Sequence, residues 1–195
     1  MAKRSRHVAL AIVGAAAFTL AGCREEQVDA QAFPDLQSCR EAANSDGLFT
    51  AAQCDEAFAD AQTLHVETAP RYESQALCEQ EHGAGACGSE AEATGGGGGS
   101  GSIFMPLLAG YLIGNMLGRG GGMAAAQPLY RTAGGQFRTP GGGATYAGNS
   151  GKAKLGSSLF ARPATTMGQA PMTRATVSSR GGLGSAGSAR SGFGG

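Results

Sequence analysis

Five cysteines and three histidines carry most of the reactive chemistry available to this 195-residue chain. Cys39, Cys54, Cys78 and Cys87 fall within residues 39–87, with His65 and His82 among them. A structural zinc site would want a closely spaced Cys pair completed by further Cys or His, and no Cys-x2–4-Cys pair exists. A thiol oxidoreductase would want Cys-x-x-Cys, which is also absent. His65 falls on a helical face shared with Phe58 and Ala61 and reads as a partly buried helix histidine. His82 falls at a helix C-terminus, where an imidazole partners the helix dipole. No Ser/His/Asp or Cys/His arrangement can be drawn, and the carboxylates are spread like a solvated face. No catalytic residue, metal ligand or cofactor is predicted.

The four cysteines instead suit two disulfides, as an even number does in an exported chain. Four cysteines allow three connectivities. A faint internal echo favours the local one. Ser38-Cys39-Arg40-Glu41 leads through Gly47 to Cys54, and Leu77-Cys78-Glu79-Gln80 leads through Gly83 and Gly85 to Cys87. Each unit reads as a short helix, a turn and a closing cysteine. This favours Cys39–Cys54 with Cys78–Cys87; the nested pairing, Cys39–Cys87 with Cys54–Cys78, is the alternative.

The elements that must position these cysteines are helical. Thr50 and Gln53 have the spacing of a capping box. Cys54, Ala57, Phe58, Ala61, Leu64 and His65 then recur at helical spacing, and Pro70 lies just past the stop. Asp35 can start an earlier helix carrying Cys39, and residues 74–82 read as a third helix ending at Gly83. The expected fold is therefore a small all-α, disulfide-stapled domain over residues 33–92. A core that small is marginal without staples, and a bridge across about 15 residues adds roughly 3 kcal/mol in the chain-entropy model.

The flanks read differently. Lys3, Arg4 and Arg6 precede an uncharged run, Val8–Leu20, that is too short to span a bilayer but suits a signal peptide. Leu20-Ala21-Gly22-Cys23 follows and resembles the bacterial lipobox, which implies that residues 1–22 are removed and that Cys23 is acylated. Several acyl chains would give stable membrane anchoring. Resemblance to Gram-negative lipoproteins implies that Arg24, in the absence of an Asp there, favours the outer membrane facing the periplasm. Residues 23–32 then form a tether. Residues 93–102, with five consecutive Gly at 95–99, form a flexible linker. Residues 103–118 are the most apolar stretch of the mature chain. Gly110, Gly114 and Gly118 recur every fourth residue, which on a helix makes a smooth ridge for membrane insertion or self-association. Residues 119–195 are Gly-, Ser- and Thr-rich and are expected to be a disordered, low-complexity tail.

Charge divides the same way. The whole chain is neutral, with 15 Lys+Arg against 15 Asp+Glu. Residues 23–118 hold all 15 carboxylates against three Arg, net −12, while residues 119–195 hold nine Lys or Arg and no carboxylate. Arg-Gly-Gly segments at 119–121 and 180–182 are similar to RNA-binding tails, but an exported chain does not meet nucleic acid. Anionic envelope polymers, or the acidic region of the same chain, are the expected partners of the basic tail.

Taken in order, these features resemble the YgiB-like family of predicted lipoproteins of Gram-negative bacteria, a family of unknown function. The residues that carry the resemblance are Cys39, Cys54, Cys78 and Cys87, Thr68-Ala69-Pro70-Arg71-Tyr72, Met105-Pro106-Leu107-Leu108-Ala109-Gly110-Tyr111, and Gln127-Pro128-Leu129-Tyr130. It covers about residues 20–130 and implies no catalytic residue. Genes of the family often lie near an ATP-grasp ligase similar to glutathionylspermidine synthase. The expected function is that of a non-enzymatic outer-membrane lipoprotein acting as a structural or protein-interaction component of the envelope, with membrane lipid and further copies of itself as partners. The alternative is a binding module for a small cationic, polyamine-like ligand, using the acidic face of residues 35–92.

Overall fold

A computed structural model describes residues 25–45, 48–94, 103–116, 124–142 and 144–179. The helical signals of the sequence hold locally. Leu36–Ser45 (α1) starts where the Asp35 carboxylate accepts from the Ser38 backbone N–H at 2.8 Å. Ala51–Thr68 (α2) opens on the Thr50/Gln53 capping box, both halves of which are formed. Gln75–His82 (α3) is capped by Ser74 and ends at Gly83, whose φ of 98° suits a residue without a Cβ. Cys54, Ala57, Ala61, Leu64, His65 and Thr68 make the buried stripe of α2. The disulfides are the local ones, Cys39–Cys54 and Cys78–Cys87, with Cα separations of 5.8 and 6.1 Å.

The fold class is not all-α. The protein is mixed α/β, built on a six-stranded sheet in which every pairing is antiparallel. Its strands are Gln27–Phe33 (β1), Gly110–Asn115 (β4), Ala124–Arg131 (β5), Phe137–Arg138 (β6), Thr145–Tyr146 (β7) and Gly151–Gly156 (β8), in the order β7-β6-β5-β4-β1-β8. A separate ribbon pairs Cys87–Ser89 (β2) with Phe104–Pro106 (β3), and Glu90–Thr94 (α4) follows β2. A last short helix spans Arg174–Ser179 (α5).

Residues 103–116 are thus strand and turn, where a glycine-zipper helix was expected. Three helical glycines would each cost about 1 kcal/mol relative to Ala, and Pro106 would break the helix. Tyr111, Leu112 and Ile113 favour a pleated surface. They read as a continuous apolar run because both faces of the sheet are covered. Gly110 has φ +146°, and a Cβ there would lie 2.7 Å from the Phe33 carbonyl oxygen. A Cβ on Gly114 would lie 2.5 Å from the Phe160 ring. These two glycines serve close approach within a sheet. Gly118, Cys23 and the whole expected signal peptide, residues 1–22, lie outside the described residues, as does most of the expected linker. Among the described residues, no helix is long and apolar enough to cross a membrane.

The expected disorder of the tail also fails for residues 124–142 and 144–179, which contribute four of the six sheet strands. Pro128 inside β5 argues against a strand on sequence grounds. It is tolerated because β6 pairs with β5 only at Tyr130 and Arg131, beyond the proline. The expected tether likewise becomes structure from Gln27 onward, because β1 lies between β4 and β8. Asp29 faces Lys154 in that register and pairs with it at 2.8 Å. The acidic and basic parts of the chain therefore fold into one sheet.

Directly paired residues share a face. Phe33, Tyr111, Ile113 and Ala126 pack under α1 and α2 with the Cys39–Cys54 bridge. Val28, Ala30, Ala32, Leu112 and Leu129 face the other way, against Phe160 of a short turn at Ser157–Phe160.

Candidate functional site

At the end of the sheet where β5 finishes, the chain leaves a cavity of about 540 Å³. Its walls come from distant parts of the sequence: the end of α2 and residues 70–72, the end of α3, residues 130–132 and 138–142, and the segment 163–172. Segment 163–172 is tied to the helical part by main-chain hydrogen bonds from Thr166 N–H to the Glu67 carbonyl and from Met172 N–H to the Arg71 carbonyl.

Among the described residues, Arg71 is the most deeply buried Lys or Arg, at 4% exposure. Its Nε donates to Glu90 Oε1 at 2.8 Å, and its terminal nitrogens donate to the carbonyls of Val66 and Ala69 and to the Thr166 hydroxyl. A buried guanidinium with a carboxylate partner and filled donors is a structural clamp. It joins the end of α2 to α4 and to segment 163–172.

His82 is buried and bonded at both ring nitrogens. Nδ1 lies 2.7 Å from the Arg131 carbonyl oxygen, so it carries the proton and donates. Nε2 is then the acceptor for the Tyr72 hydroxyl at 2.9 Å. Burial lowers the His82 pKa, against the pull of that carbonyl, so the ring is neutral and is not the charged dipole partner expected from sequence. His65 lies outside the cavity lining, with Nδ1 3.3 Å from the Tyr130 hydroxyl. Burial first, and the nearby Arg71 charge second, push its pKa down to about 4. The Tyr130 phenol is pushed up, chiefly by burial. A Tyr72–His82 pair and a Tyr130–His65 pair therefore line or underlie one wall.

Arg138 stands apart. It is half-buried in the cavity wall, and its Nε donates to the Thr145 hydroxyl at 3.0 Å. Thr132 and Thr139 are buried beside it, and Glu81 is buried on the α3 side.

The structure joins Cys39 to Cys54 in the helix-covered core and places the Cys78–Cys87 bridge with Tyr72, Leu77 and Val177 behind the cavity wall. Gly110 and Gly114 are in β4, away from the cavity lining. Among the described residues, no group of three or more His, Cys, Asp or Glu is placed to hold a metal. Arg71, Tyr72 and Tyr130 belong to segments that the sequence singled out, but not as site residues. Glu81, Arg138 and Thr139 were missed. The one local signal for Arg71 and Tyr72 is a cation and an aromatic directly after a proline between two helices. Arg138 has none, since it sits in a Gly- and Thr-rich stretch.

The chain matches, over residues 27–194, the family described as a protein of unknown function, DUF1190. It is 34% identical over 190 residues to a UPF0441 protein of Klebsiella pneumoniae, covering 91% of this chain and 78% of the relative. It is 35% identical over 189 residues to one from Pectobacterium carotovorum, with 91% and 78% covered. It is 33% identical over 192 residues to one from Sodalis glossinidius, with 94% and 82% covered. No solved structure matches. On this identity and coverage, the chain belongs to UPF0441, the YgiB-like family of bacterial proteins of unknown function.

Proposed function

We propose that the protein is a lipid-anchored, non-enzymatic component of the bacterial cell envelope, held at the outer membrane through Cys23 and acting as a structural or protein-interaction module. The observation that carries this is the state of the cysteines. All four beyond the lipobox are paired in two disulfides, and three of them have no exposed surface. Such bridges persist in oxidising compartments outside the cytosol. The non-enzymatic part is supported by His82, whose two ring nitrogens are both already bonded. A general base needs a free nitrogen within reach of the proton it removes.

The anchor and the cavity would then occupy opposite ends. β1 begins four residues after Cys23, beside the end of β8 at Gly156. β5 begins opposite Asn115 near that same end and delivers Tyr130 and Arg131 to the cavity end. Eight strand residues span about 25 Å, so the cavity would open away from the lipid. The alternative, an acidic face for polyamines, has less to offer. Within residues 35–92, Asp55, Glu67 and Glu90 already pair with Arg40, Arg162 and Arg71.

Metabolic labelling with an alkyne fatty acid, followed by sucrose-gradient separation of envelope fractions, tests the anchor. The wild type is expected to take up label and sediment with the outer membrane, and Cys23→Ser to lose both. Equal labelling of Cys23→Ser, or an unlabelled wild type in the soluble periplasmic fraction, would overturn it.

A further inference from the structure

We propose that the cavity is a binding site for a small organic monocarboxylate, held end-on by the guanidinium of Arg138. The inference is independent of how the protein is anchored and stands whether or not Cys23 is acylated.

Three observations lead to it. The cavity, at about 540 Å³, is of the size that encloses small ligands. Its two guanidinium groups are in opposite conditions. Arg71 is neutralised by Glu90, and its donors go to carbonyls and a hydroxyl. Arg138 is half-buried, and among the described residues no carboxylate pairs with it; its contact is Nε to the Thr145 hydroxyl. That contact restrains the guanidinium through Nε, and among the described residues its two terminal nitrogens make no hydrogen bond, which leaves them for a ligand. Two parallel N–H donors match the two oxygens of a carboxylate. A half-buried cation is less well solvated than an exposed one, so an anion that enters here gains more than it would at an exposed arginine.

The surroundings restrict the anion further. Glu81 is buried in the same lining, and burial keeps His82 neutral while both of its ring nitrogens are already bonded. A lining that holds Arg138 together with the buried acid Glu81 suits a monoanion and disfavours a dianion such as a phosphate monoester. The hydroxyls of Thr132 and Thr139 offer polar contacts, while Pro70, Pro140 and Met172 supply apolar wall. The ligand is therefore expected to combine one carboxylate with a compact, partly apolar body.

The test uses the full-length oxidised chain in nonionic detergent and saturation-transfer NMR with four probes of one shape. These are benzoate, benzamide, benzylamine and phenyl phosphate. Benzoate is expected to bind saturably and at least tenfold more tightly than the other three. Arg138→Gln should weaken benzoate at least tenfold and leave benzamide unchanged, and Arg138→Lys should fall between. Near-UV circular dichroism identifies any variant that has lost its fold; if Arg138→Gln does, Arg138→Lys and the four-probe ranking decide. No saturable benzoate signal, equal binding of benzoate and benzamide, preference for phenyl phosphate, or benzoate binding unmoved in folded Arg138→Gln and Arg138→Lys would each overturn the proposal.

Discussion

The two faces of the central sheet are built on opposite principles. One face carries Phe33, Tyr111 and Ile113 beneath α1 and α2, with the Cys39–Cys54 bridge in the same cluster. Phe58 closes edge-on to Tyr111 at 5.3 Å between ring centres. Here regular helices cover the sheet and large side chains fill the gap. The other face is mostly Val28, Ala30, Ala32, Leu112 and Gly114, covered by a single turn that lays the Phe160 ring directly on the Gly114 backbone. Here the missing side chain is the structural feature. One face gains stability from volume and a covalent link, the other from the closeness that small residues allow. The two should therefore break in different ways.

The helix-covered face should be most sensitive to loss of its bridge. Replacing Cys39 and Cys54 together with Ala removes a link across 15 residues. The expected loss is about 3 kcal/mol, a fall in Tm of roughly 10 °C for a chain of this size. The Cys78–Cys87 bridge closes only nine residues away from that face. Its removal should cost slightly less and should disturb the cavity wall in place of the sheet. Thermal melts of the two double variants check both statements; a Cys39/Cys54 variant that melts with the wild type would mean that the helices hold this face without the link.

The same face contributes a dependence on pH. His65 sits at the end of the buried stripe of α2, and its folded pKa of about 4 lies below the ordinary 6.5. His82 is shifted the same way by burial. The unfolded chain therefore binds protons first as pH falls. The stability that these neutral rings confer is complete above about pH 6.5 and is lost progressively toward pH 4. The expected loss from His65 is about 2 kcal/mol over that window. Urea denaturation at pH 7 and pH 4.5 measures it, and His65→Gln should flatten the slope. An unchanged slope in that variant would show that His65 is not the group responsible.

How much of this was legible depends on how far apart the interacting residues lie. The helices of residues 35–82 could be read because their signals are local. The Thr50/Gln53 box, the Ser74 and Gly83 caps and the buried stripe of α2 each fall within a few turns. The nearer disulfide pairing was readable for the same reason. The sheet was not, because β1 finds its partners at residues 111–114 and 151–156. Nothing in Gln27–Phe33 announces pairing with residues more than 75 positions away. Short strands rich in Gly, Ala and Lys also mimic the composition of disorder. The cavity suffers doubly, since Arg71 and Arg138 meet only once that sheet has formed. A regular four-residue spacing of glycines invited a helical explanation, when Gly110 and Gly114 each answer to a different neighbour.

That ambiguity gives the second face its own test, with a sign that separates the two explanations. On an exposed helical ridge, Gly114→Ala would stabilise the chain by close to 1 kcal/mol. In β4 the new methyl would enter the space of the Phe160 ring, because the ideal Cβ position is 2.5 Å from its nearest carbon. Overpacking of this kind costs about 1–3 kcal/mol, and about 2 is expected here, since the turn carrying Phe160 can retreat. Phe160→Leu should relieve part of the clash. The double variant is then expected to be more stable than the sum of the two single losses, as contacting residues require. Strictly additive losses in chemical denaturation would mean that the turn does not lie on Gly114, and the contrast between the two faces would disappear with it.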